Sequence, residues 1–111
     1  MSEQKNKFDS VDHVAVAVND IAASVQWYTT QFKCQVTYED ETWAFLEFDN
    51  IKLALVVSRQ HPPHVAFITE DAEKHGVLKT HRDGSRSLYV KDPNGNSVEM
   101  IAPYESPKAS K

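Results

Sequence analysis

A strand-like run carrying His-Val-Ala recurs 51 residues later in this chain. Val11–Val18 reads VDHVAVAV, and Pro63–Thr69 reads PHVAFIT. Both alternate with period two. His13, Ala15 and Ala17 point to one face, while Asp12, Val14, Val16 and Val18 point to the other, the pattern of a strand. The segments after the two runs are also alike. After the first, Asn19 or Asp20 caps a helix in which Ile21, Val25, Tyr28 and Phe32 share one face. Three strand-like runs come next: Gln35–Glu39, Trp43–Phe48 and Ile51–Val57, with a tight turn at Asp49-Asn50. After the second run, Glu70–His75 is a short helical stretch ended by Gly76, a residue favoured just past a helix. Then come Val77–Arg82, Ser87–Lys91 and Ser97–Ile101, the last two joined by the turn signal Asp92-Pro93-Asn94-Gly95. The order βαβββ therefore occurs twice. Each unit, at about 45 residues, is too small to stand alone.

The repeat can be aligned along its length. Trp43–Asp49 corresponds to Arg86–Asp92, and Ile51-Lys52-Leu53 to Val98-Glu99-Met100. The spacing falls at the third strand because the second helix is shorter, and partly recovers because the second hairpin is longer. The expected architecture is α+β: one domain over residues 11–104, with module one at 11–58 and module two at 63–103. Residues 1–10 and 105–111 read as flexible ends. The short second helix would leave one outer face of module two thinly covered, a place for a dimer contact or a substrate entrance.

Composition narrows the function. The 111 residues carry 12 basic and 16 acidic side chains, a net charge of −4, and this mild negative balance argues against nucleic acid or an anionic membrane as partner. No run nears the roughly 20 apolar residues of a membrane-spanning helix. The start of the chain lacks the apolar stretch of a signal peptide. The one cysteine, Cys34, cannot form an internal disulfide and suits a reducing cytoplasm. After the first helix it reads as a small buried hydrophobe. With three glycines there is no Gly-rich phosphate loop, and no serine sits in a nucleophile elbow.

The duplicated pattern, above all DHVAVAVNDIAASVQWY near the start and LYVKDPNGNSVEMI near the end, resembles the vicinal oxygen chelate superfamily. That superfamily includes glyoxalase I, the fosfomycin- and bleomycin-resistance proteins and extradiol dioxygenases. The resemblance spans Val11 to Pro103. It implies that the paired modules curve into an open, barrel-like mixed sheet around a metal ion. It also implies ligands from the first and last strands of each module, which here are His13, Lys52, His64 and Glu99.

Residue chemistry agrees with three of these four. Two imidazoles and a carboxylate suit one divalent Zn, Fe, Mn or Ni ion and leave positions open for substrate. Ala15, Ala17 and Ala66 share the histidines' faces and leave room for metal and ligand. Lys52 departs from the pattern, because an ammonium offers no lone pair. Glyoxalase I-like relatives carry a carboxylate or amide there. Sharing a face with Ala54, Lys52 is instead a candidate cation for an anionic substrate. Tyr89, ten residues before Glu99, matches a substrate-contacting tyrosine of fosfomycin-resistance proteins and could donate to a bound oxyanion. His61, His75 and His81 read as surface residues.

The leading expectation is thus a metal-dependent enzyme acting on a small oxygen-chelating anion, with His13, His64 and Glu99 as ligands and Lys52 and Tyr89 as catalytic candidates. The alternative is a drug-binding protein of the bleomycin-resistance type, with Trp43 and Phe45 lining an aromatic groove. The resemblance further implies a homodimer, with His13 of one chain completing a site made by His64 and Glu99 of the other.

Overall fold

The computed structural model describes residues 8–81 and 83–103. The expectations for residues 1–7 and 105–111, and for Arg82, lie outside these residues.

Strand β1 spans Ser10–Val18 and feeds helix α1, Ile21–Gln31. Asp20 caps the helix, its Oδ1 accepting the Ala23 N–H at 3.0 Å, which satisfies one of the donors a helix start leaves free. Strands β2 (Gln35–Glu39), β3 (Trp43–Glu47) and β4 (Lys52–Val57) complete module one. Module two holds β5 (His64–Ile68), one 3-10 turn (Ala72–His75), β6 (Lys79–Thr80), β7 (Arg86–Lys91) and β8 (Ser97–Ile101).

Two local expectations change. The helix expected over Glu70–His75 is a four-residue 3-10 turn. Gly76 after it is not a left-handed cap: its φ of +152° and ψ of −171° belong to a region open essentially to glycine. A Cβ there would stand 2.9 Å from Leu88 Cδ1, so the leucine side chain would have to shift to admit one. The strand expected over Val77–Arg82 shrinks to the two residues of β6, which pairs only with β7 at the sheet's edge. A tight turn stops it: the His81 N–H donates to the Ser85 carbonyl, and the His81 carbonyl accepts the Gly84 N–H.

All eight strands form one open mixed sheet in the order β2-β3-β4-β1-β5-β8-β7-β6. Each module contributes the same sequence of strands from edge to centre. In both, the first strand runs parallel to the last, β1 with β4 and β5 with β8. The modules meet where β1 and β5 pair antiparallel, with His13 opposite Ala66 and Ala15 opposite His64. The duplication thereby places the two histidines side by side at the centre of the sheet.

The two faces differ in bulk. On the helix side, Ile21 and Val25 pack with Ala44, Leu46, Leu55 and Val57, against partly buried Val16, Val18 and Tyr28. Leu46 and Leu55 are fully buried, each contributing about 1.5–3 kcal/mol. Phe32 lies past the helix end and is half exposed. Cys34 is half-buried against this core, short of the full burial expected. The opposite face carries small residues, Ala15, Ala54 and Val56, flanked by Trp43 and Phe45.

Candidate metal centre

One row of cross-strand partners runs over the open face: Lys52, His13, Ala66, Glu99 and Tyr89, on β4, β1, β5, β8 and β7. The next row holds Ala54, Ala15, His64 and Ser97. Adjacent strands lie about 4.8 Å apart. His13 and Glu99 therefore rise on either side of Ala66, and His64 leans in from the neighbouring row. Ala66 is 0% exposed and forms the floor between them.

The three side chains converge. His13 Nε2 lies 3.2 Å from His64 Nε2, and Glu99 Oε1 lies 3.4 Å from the first and 3.0 Å from the second. All three residues are buried. Ligand atoms about 2.1 Å from an ion lie about 3.0 Å apart at right angles and about 3.4 Å apart at the tetrahedral angle. The observed triangle falls in that range.

Hydrogen bonds set the tautomers. His13 Nδ1 donates to Asp12 Oδ2 at 2.8 Å, and His64 Nδ1 donates to the Pro62 carbonyl at 2.7 Å. A carboxylate and a carbonyl only accept, so each Nδ1 carries a proton. That leaves both Nε2 lone pairs and a carboxylate oxygen facing one point. Three acceptors so placed need a cation between them: a divalent ion, or a proton when no ion is bound. The donor set fits a 2-His-1-carboxylate site with open positions.

Charge responds accordingly. Burial works against ionised His13, but its hydrogen bonds to Asp12 and Glu99 outweigh this and raise its pKa. Burial would also raise Glu99, yet hydrogen bonds with His13, His64 and Ser87 hold it far below the usual carboxylate range. Asp12 is lowered, first by its hydrogen bond to His13.

Asp12 was expected on the opposite face from His13. A β-bulge changes that. Between Val11 and His13 strand β1 spends one more residue than β5, and Asp12 is the extra one. Its carboxylate reaches back to His13 on one oxygen, while its other oxygen lies 3.5 Å from Lys52 Nζ.

Lys52 is therefore tied to Asp12, and its ammonium also lies 5.2 Å from the Phe45 ring centroid. It pairs with His13, and the residue paired with His64 is Ser97. Glu99 pairs with Ala66, whose repeat partner Ala15 pairs with Ala54. By register, the module-one counterpart of Glu99 is thus Ala54, not Lys52, and its methyl group offers no lone pair to an ion. Tyr89 stands opposite Glu99, half exposed, with its ring 5.0 Å from that of His64. Burial, with Glu99 beside it, pushes the phenol above its ordinary pKa.

Sequence reasoning missed Asp12, Ser87 and His81. Ser87 is 2% exposed and donates to Glu99 Oε2 at 2.8 Å, and His81 Nε2 lies 2.7 Å from Ser87 Oγ. His81 is thus half-buried rather than a surface residue. The shared face of Ser87 and Tyr89 was the available signal. His75 is exposed and His61 half-buried. The three candidate ligands come together within the described chain. β1 and β5 are hydrogen-bonded neighbours within the chain.

An aromatic strip extends from the centre along module one. Phe45 meets His13 edge-on at 5.1 Å, Trp43 meets Phe45 at 5.0 Å, and Tyr38 stacks on Trp43 at 4.3 Å. Among the described residues no helix is long and apolar enough to cross a membrane.

Comparison with known proteins places this arrangement. The metallothiol transferase FosB of Staphylococcus saprophyticus is 25% identical over 114 residues, covering 82% of this chain and 75% of that relative. A hypothetical protein from Bacillus halodurans C-125 has the same fold, with a TM-score of 0.68 at 16% identity over 90% of this chain and 98% of that one. So does a methylmalonyl-CoA epimerase from Streptomyces coelicolor, with a TM-score of 0.68 at 18% identity over 86% and 98%. The relatives thus include a transferase and an epimerase. Residues 10–100 match the model of the Glyoxalase/Bleomycin resistance protein/Dioxygenase superfamily. That span takes in both modules and all three converging side chains, and the chain belongs to this superfamily.

Proposed function

We propose that this chain is a divalent-metal-dependent enzyme acting on a small anionic molecule that binds the ion through one or two oxygens. One observation carries the reading: His13 Nε2, His64 Nε2 and Glu99 Oε1 offer three lone pairs to one point, while both Nδ1 protons are already engaged elsewhere. His13, His64 and Glu99 would hold Zn, Fe, Mn or Ni. When bound, such an ion supplies Lewis-acid stabilisation of a developing oxyanion. Tyr89 retains its proton and offers a hydrogen bond to a substrate oxygen. Lys52, partly exposed beside the site, draws the anionic group. Ala15, Ala54 and Ala66 leave the space that bulkier side chains would fill.

The test is elemental analysis of purified protein, with His64→Ala as the comparison. Stoichiometric metal that disappears in the variant supports the reading. No stoichiometric metal, with no change on His64→Ala, overturns it.

The strip of Phe45, Trp43 and Tyr38 favours a second reading, a binding protein for planar drug-like molecules. Tight binding unaffected by chelator would select it over the enzyme. We also propose a homodimer, although each chain holds a complete candidate centre; a monomer in light scattering at micromolar concentration would refute it.

A further inference from the structure

We propose that His81 is a positioning residue for the candidate centre: acting through Ser87, it holds the Glu99 carboxylate so that one oxygen alone faces the two histidines. The inference rests on the metal reading above and concerns what orients its only anionic ligand.

The geometry is a two-step relay. Ser87 Oγ lies 2.8 Å from Glu99 Oε2 and 2.7 Å from His81 Nε2. The ionised carboxylate can only accept, and a serine has one proton. That proton goes to Glu99, so Ser87 must accept from His81 Nε2–H. With Oε2 engaged, Oε1 is the oxygen that lies 3.0 Å from His64 and 3.4 Å from His13. A lone serine hydroxyl could rotate to another acceptor. His81 removes that freedom by occupying its lone pair.

His81 is itself held in place. Its N–H donates to the Ser85 carbonyl at 2.7 Å, and its carbonyl accepts the Gly84 N–H at 2.9 Å. This turn joins β6 to β7, where Lys79 pairs with Ser87. The relay therefore ties the ligand on β8 to the turn at the sheet's edge. The histidines have shorter supports, a neighbouring carboxylate for His13 and the Pro62 carbonyl for His64. Partners hydrogen-bonded directly to a ligand, as Ser87 is to Glu99, typically change metal affinity by about 10–100-fold when deleted.

The experiment titrates Zn²⁺ into the full chain against a chromophoric chelator, for the wild type, His81→Leu, His81→Gln, Ser87→Ala and the His81→Leu/Ser87→Ala double variant. Leucine and glutamine are similar in size, but only glutamine can donate. Ser87→Ala is expected to weaken Zn²⁺ binding about 10–100-fold, His81→Leu to weaken it about 10-fold, the lower end of that range, and His81→Gln to stay within about threefold. The double variant is expected to bind no more weakly than Ser87→Ala, because both changes cut one relay. The visible spectrum of the Co²⁺ form adds a structural readout. Freeing Oε2 to join the ion raises the coordination number and lowers the absorbance in His81→Leu. If His81→Leu does not fold, Ser87→Ala against Ser87→Thr carries the test from the other end, with threonine retaining the hydroxyl. A folded His81→Leu that binds like the wild type, or a double variant whose losses simply add, overturns this inference alone. A wild type that takes up no ion overturns the metal reading with it.

Discussion

Replacing Ala66 with leucine would disable the centre without touching a ligand. Ala66 is fully buried and stands between His13 on β1 and Glu99 on β8, in the same row of the sheet. The ligand atoms on either side are 3.4 Å apart. Carbon and its neighbours come no closer than about 3.5 Å without repulsion. A branched side chain rising between the two would push them to roughly twice that separation, too wide for both to reach one ion. One ligand of the three is then lost. Structural zinc sites with four ligands bind with about 10–16 kcal/mol, or about 3 kcal/mol per ligand, so affinity should fall at least about 100-fold. Overpacking should also cost about 1–3 kcal/mol of fold stability. The assay is Zn²⁺ competition titration, with circular dichroism to show that the variant folds. Ala66→Gly is the control. It leaves the ligands their room, costs about 0.5–1 kcal/mol of stability, and should bind within a few-fold of wild type. A folded Ala66→Leu that binds Zn²⁺ within about threefold of wild type would refute the idea that the alanine floor makes the site.

Removing Asp12 with Asp12→Ala leaves the His13 Nδ1–H without its acceptor. Metal affinity should drop about 10–100-fold, and chelator competition measures it; an unchanged affinity would show that the bulge has no role in the site. Stability should depend on pH, and the dependence should change when metal is bound. The contribution of Glu99, whose pKa is depressed, is present above about pH 4.3 and lost as pH falls. The contribution of His13, whose pKa is raised, is present below about pH 6.5 and lost as pH rises through its folded pKa. Metal-free protein should therefore melt at a lower temperature at pH 8 than at pH 6. The increment added by Zn²⁺ should grow over the same interval as the ion displaces the proton. Melting curves in chelator and in Zn²⁺ decide it; a metal-free melting temperature that rises from pH 6 to 8 contradicts the assignment. Finally, Gly76→Ala forces a side chain into a φ of +152° and against Leu88, and should cost about 1–3 kcal/mol in urea unfolding. Gly84→Ala, at φ +91° with open space around it, should show the backbone cost alone.

Much of this was legible from one dimension. The repeated His-Val-Ala identified the strands that became the sheet's central pair, because period-two alternation records which side chains share a face. Asp20 at a helix start and the apolar spacing of Ile21, Val25 and Tyr28 are local physics, and they held. The two histidines were picked out because the duplication put them at the same place in each repeat, and Glu99 because the resemblance to the superfamily implied it.

Other features depend on which strands become neighbours, and in what register. Alternation put Asp12 on the wrong face because a single extra residue in β1 turns a side chain over without altering the pattern. Counting along the repeat matched Lys52 with Glu99. Hydrogen-bond register matches Ala54 with it, two residues along, because β4 and β8 are aligned by their pairing with β1 and β5. Ser87 and His81 carry no motif, and only folding brings the turn before β7 back onto Ser87 and so toward the carboxylate. The antiparallel pairing of β1 with β5 is likewise non-local. It gathers all three candidate ligands within one chain, where chain order alone left open a site divided between two.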